Sequence, residues 1–66
     1  MAEEDPVVVF ESARPREARD RALVLQAVGI PHQVLRDGSS SLLVVPAAEA
    51  ARARHELDTW QNENQG

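Results

Sequence analysis

The sequence predicts an α+β domain with elements in the order β-α-β-β-α. Three short runs, Val7-Val8-Val9-Phe10, Val34-Leu35 and Leu42-Leu43-Val44-Val45, read as strands too apolar to carry a polar face. Two longer stretches, from about Pro15 to Val28 and from about Pro46 to Trp60, place their apolar residues at helical spacing. Asp37-Gly38 and the serines that follow form a polar turn of hairpin type between the second and third runs. Two helices cover only one side of such a sheet. The other face, or a free edge, should therefore meet a partner: a second copy, another chain, or the rest of a longer protein.

The elements follow in order. Residues 1–6, with Glu3-Glu4-Asp5, form an acidic lead-in expected to fray. Strand 1 spans about Val7–Phe10. Ser12 is a candidate N-cap, and Pro15 suits the first helical turn, where its missing N–H leaves no bond unmade. Ala18, Ala22, Leu25 and Val28 share one helix face turned to a core, and Gly29 ends the helix before Pro31. Strand 2 covers about His32–Arg36 and strand 3 about Ser41–Val45. Pro46 opens the second helix, with Ala50, Ala53, Leu57 and Trp60 inward and Arg52–Glu56 and Arg54–Asp58 as i,i+4 pairs on its wetter sides. Residues 61–66 read as a polar tail or the start of a linker, which leaves 7–60 as the single domain.

A helix between strands 1 and 2 makes those two parallel with a right-handed crossover, whereas the hairpin makes strand 3 antiparallel to strand 2. Leu42–Val45 is the most apolar strand and belongs in the middle. The expected fold is thus a three-stranded mixed sheet of order 1-3-2, with both helices on one face. It is ferredoxin-like without the last strand, and strand 1 keeps an open outer edge.

Composition narrows the function classes. A chain of 66 residues buries only about 60% of the surface it exposes when unfolded. There is no Cys, so no disulfide or cysteine metal site supplements the core. No apolar stretch is long enough for a membrane span, and the acidic start does not suit a signal peptide, so the chain as given reads as soluble. Eleven acids against seven bases, every base an Arg, give a net charge of −4, which argues against a nucleic-acid partner. Arg14, Arg16, Arg19 and Arg21 crowd the first helix, but Glu11, Glu17 and Asp20 interleave with them, as on a solvated face.

Chemistry is scarce. Ser39, Ser40 and Ser41 with His32 and Asp37 hold the letters of a catalytic triad, yet the serines fall in a turn and no nucleophile elbow is present. His32 and His55 lie on different elements without acidic partners at ligand spacing. Gly29, Gly38 and Gly66 are scattered, so no glycine loop cradles phosphate. Catalytic residues, metal and cofactor are all expected to be absent. Trp60 fits a core lid, with a binding hot spot as the competing role. Leu23 lies opposite the Ala18/Ala22/Leu25 face among charges, either as an ordinary exposed leucine or as a contact site. Of Val7/Val9 and Val8/Phe10, one pair alone faces the helices. Val7 and Val9 are the first choice for the outward pair and, with Leu23, the candidate interface residues.

The stretch RALVLQAVGIPHQVLRDG (Arg21–Gly38), followed by LLVV, an Ala/Arg-rich helix and an aromatic before Glu-Asn, resembles the small N-terminal cytosolic domain of bacterial rhomboid intramembrane serine proteases. The resemblance runs from about Val7 to Asn64. It rests on a helix–Gly–Ile step into a strand, an Asp-Gly turn and a C-terminal helix, not on catalytic letters. Small PII-like signal-transducing domains are similar too, with "GI" after the first helix and a Pro-led second helix. The rhomboid resemblance implies a non-catalytic accessory domain at the cytosolic face of the inner membrane. Its partner would be the membrane-embedded part of the parent protein or a cytosolic protein. The family's catalytic Ser and His have no counterpart here, and this chain stops at Gly66 with no span. The PII-like resemblance implies a free-standing regulatory or ligand-binding module. Either way, weak or strand-exchanged homodimerisation is expected of the isolated chain.

Overall fold

A computed structural model describes residues 5–64 of the chain. It contains β1 (Pro6–Ser12), α1 (Pro15–Ala27), β2 (Gln33–Asp37), β3 (Ser40–Pro46), a short 3-10 turn (Ala47–Glu49) and α2 (Ala50–Glu63). The sheet order is β1-β3-β2, with the most apolar strand in the centre as expected. The sheet is antiparallel throughout, because β3 separates the co-directional β1 and β2 and pairs antiparallel with each. The mixed sheet expected from the crossover is corrected to that extent.

Both helices pack on one face. Leu25 of α1 and Ala53 and Leu57 of α2 share a single buried cluster with Leu43 and Val45 of β3. Ile30, in the link to β2, completes it. Strand pairing is regular except at a bulge, where Val8 faces Val44 and Phe10 already faces Leu43. Val9 is the extra residue, so Val9 and Phe10 stand against one partner and the strand bends there.

Local sequence explains most boundaries. Pro15 takes the first helical position, but the cap residue is Arg14, which makes no side-chain cap bond. Ser12 closes β1 instead. Its Oγ accepts from Arg14 N at 3.0 Å and donates to Glu17 Oε1 at 2.7 Å, tying the strand end to the first helical turn. At the other end of α1, Ile30 N donates to Leu25 O at 2.9 Å and Gly29 N to Gln26 O at 3.2 Å. With Gly29 at φ +78, these bonds make a Schellman cap, and the Leu25–Ile30 pair buried together is its usual apolar contact.

The hairpin turn is tighter than the sequence suggests, because each strand runs one residue further into it. Asp37 pairs with Ser40, so Gly38 and Ser39 are the two loop residues. Gly38 has φ +62 and no non-glycine residue has positive φ among the described residues, which is the signature of a type II′ turn. Pro46 ends β3 rather than opening a helix, and the 3-10 turn intervenes. Helix α2 continues through Glu63, so residues 61–63 are helical and not tail. Asn64 then bonds back to Trp60 O through both its backbone N and its Nδ2. Residues 1–4 of the lead-in and 65–66 of the tail lie outside the described residues.

The expected Arg52–Glu56 and Arg54–Asp58 pairs do not form. Arg52 reaches Glu49 at 3.6 Å and donates to Val28 O at 3.1 Å. Val28 is the C-cap of α1, where carbonyls lack helical partners and the helix dipole is negative.

A Cβ at Gly29 would meet nothing within 4 Å, so Gly29→Ala tests backbone conformation alone. The left-handed φ is expected to lower stability by about 1–2 kcal/mol. Urea unfolding should show a lower midpoint at unchanged slope. An unchanged midpoint would mean that the cap relaxes at no cost.

Candidate functional site

The most distinctive surface is the face of the sheet that no helix covers. Leu43 and Val45 point into the core, so alternation turns Leu42 and Val44 of β3 to the opposite side. Pairing brings Val8 beside Val44 and Leu35 beside Leu42 on that side. Val8 and Leu35 are each 43% exposed, while Val44, hemmed between strands, is 5% exposed. An apolar stripe thus crosses all three strands, with Glu11 and Gln33 as its polar flanks.

Val7 and Val9 are not on this face. Both are half-buried against the core cluster, together with Phe10. The outward valine of β1 is Val8, which corrects the choice of Val7 and Val9 as the outward pair. The physical reason is pairing with β3: Val7 stands opposite the core residue Val45 and Val8 opposite Val44, while the bulge after Val8 brings Phe10 to the core side with Val9.

At the end of the sheet where β1 and β2 begin and β3 finishes, an open groove of about 620 Å³ is lined chiefly by Pro6, Pro31, His32, Val44 and Pro46. His32 is half-buried there and its Nδ1 lies 2.9 Å from Ile30 O. A carbonyl only accepts, so Nδ1 is the donor in this bond. A second hollow, about 440 Å³, lies between the helices and brings together Leu23 and Trp60 with Asp20, Val24, Ala27 and Val28. Leu23 is 56% exposed.

Arg21 departs from the solvated face read for the first helix. Its guanidinium sits 4.0 Å from the Phe10 ring centroid and 5.1 Å from that of Trp60, and its Nη1 donates to Glu17 O. Half-buried, it links β1, α1 and α2. Trp60 thus lies against a cation and beside the Leu23 hollow, and it is not among the residues packed on the aliphatic core cluster as the core-lid reading expected. The signal in the sequence was slight: Arg21 falls beside the Ala18/Ala22/Leu25 stripe, and the chain offers just one Trp and one Phe.

The serine and histidine letters do not assemble. Asp37, Ser39 and Ser40 are at the hairpin tip, whereas His32 precedes β2, a strand length of about 17 Å away at ~3.4 Å per residue. Ser41 is buried on the helix side. His55 stands exposed on α2, and among the described residues no cluster of three or more His, Cys, Asp or Glu side chains could hold a metal. No helix among the described residues is long and apolar enough to cross a membrane.

Fold and surface together define a small α+β domain with a helix-covered face and an open apolar one. Comparison with known protein families, curated proteins and solved structures gives no match for this chain.

Proposed function

We propose that this chain is a non-catalytic docking domain, the cytosolic accessory part of a rhomboid-like intramembrane protease. The observation that carries the reading is the open apolar stripe of Val8, Val44, Leu42 and Leu35. Exposed apolar side chains on one continuous face suit a surface that is covered in the working assembly. The occupant is the membrane-embedded portion of the same polypeptide, as the sequence resemblance implies. In this role the domain positions or modulates the protease and contributes no residue to its chemistry.

Two measurements test it. The gene downstream of codon 66 is expected to encode a run of ~20 apolar residues after a short polar linker. A stop codon there overturns the reading. In the full-length protein, Val8→Lys and Val8→Glu should each lower proteolysis in membranes several-fold while leaving the isolated domain folded by circular dichroism. Unchanged proteolysis in both variants removes the docking role.

The groove at Pro6, Pro31, His32 and Pro46 favours a second reading, a free-standing PII-like module that binds a small ligand beside His32. Saturable shifts of the His32 ring resonances on ligand titration, in a protein that ends at codon 66, would select it.

A further inference from the structure

We infer that two copies of the domain join through the outer edge of β2, in one symmetric register with Leu35 on the two-fold axis. The inference stands apart from docking by the open face, because it rests on main-chain groups at an edge and not on what covers the stripe.

The two free edges of the sheet are not equivalent. On β1, Pro6 has no N–H, and the bulge at Val9 breaks the two-residue spacing of outward groups. Both features blunt an edge against strand addition. On β2 there is no proline and no bulge, and every residue is exposed. Val34 lies on the helix side, opposite Leu43, yet it is 44% exposed, so the helix layer stops short of this edge.

The turn determines which groups are free. A two-residue hairpin loop is closed by a hydrogen-bonded pair, here Asp37 with Ser40, and such pairs alternate along the ladder. Gln33, Leu35 and Asp37 therefore spend their backbone groups on β3. The N–H and C=O of Val34 and Arg36 point outward and need a partner or water.

A second copy satisfies them by symmetry. With Leu35 opposite the partner's Leu35, all residues of β2 pair, and Val34 exchanges both main-chain bonds with the partner's Arg36. Gln33 then faces the partner's Asp37, an amide donor against a carboxylate. Moving the axis to Arg36 sets two guanidinium groups directly opposite, which is repulsive. Moving it to Val34 leaves Asp37 unpaired. The favoured register also joins Leu42–Leu35 of one copy to the same pair of the other, so the apolar stripe runs across the joint. Two strands of 5 residues bury far less than the roughly 1,200–2,000 Å² of a stable interface, so the dimer is weak and forms toward millimolar concentration.

The absence of Cys makes the register directly testable. At a non-hydrogen-bonded antiparallel pair the Cα atoms stand about 4.5 Å apart, within disulfide range. Leu35→Cys should therefore form a covalent dimer under mild oxidation, and Val8→Cys, equally exposed on the same face, should not. In the unmodified protein, amide exchange at Val34 and Arg36 should slow about tenfold from micromolar to millimolar concentration, with Leu35 unchanged. Val34→Pro removes an outward donor without touching the β3 ladder and should abolish that slowing. Four results would each overturn the inference: a strict monomer at millimolar concentration, protection at Val8 and Glu11 instead, equal cross-linking of the two cysteine variants, or protection that requires an added peptide.

Discussion

Leu25→Ala is expected to leave the domain only marginally folded at room temperature. Leu25 is fully buried, packs against Leu43, Val45 and Leu57, and supplies the carbonyl that Ile30 N bonds in the cap of α1. Truncating a buried leucine costs about 3 kcal/mol or more, from lost transfer free energy and from the cavity left behind. A single core of this size rarely provides more than ~3–5 kcal/mol, so little net stability remains. Leu23→Ala removes the same atoms two residues earlier from a side chain that is mostly exposed, and should shift stability by less than ~0.5 kcal/mol. Urea unfolding followed at 222 nm compares the two. Similar losses would mean that Leu23 is buried in solution by an association or that α1 sits rotated.

Arg21→Ala should destabilise the fold by about 1–2 kcal/mol, because the guanidinium lies over two rings and is partly desolvated there. The loss should persist at high salt, unlike that of an exposed ion pair such as Arg14–Glu17 at 3.7 Å. Arg21→Lys should recover only part of the loss, since an ammonium cannot stack a planar surface on the rings. Trp60 is the only tryptophan, so its fluorescence reports the site directly. An emission maximum unmoved in Arg21→Ala, with stability unchanged, would show that the stack carries no energy.

The parts of the fold that were legible in the sequence are those where one residue type has one local solution. Gly29 supplies the left-handed step that ends α1, Pro15 fits the first turn, and a glycine beside Asp37 makes a hairpin turn. The helix stripes were readable because polar residues interrupt them at regular spacing. Once two helices and a tight hairpin are in place, the order β1-β3-β2 follows from placing the most apolar strand in the centre.

The candidate site was legible only in part. An open apolar face could be read from the surplus of strand residues that two helices cannot cover. Which residues form it could not, because Val7-Val8-Val9-Phe10 has no polar position to mark a phase, and a bulge leaves no trace in such a run. The choice of Val8 over Val7 and Val9 came from pairing with β3. Likewise, Arg21 is indistinguishable by sequence from its arginine neighbours until Phe10 and Trp60 arrive from other elements. Local propensity and period thus determined the elements and their order. Tertiary packing alone decided which side of β1 faces water, where β1 bulges and which arginine is held between rings, since each depends on a partner distant in the chain.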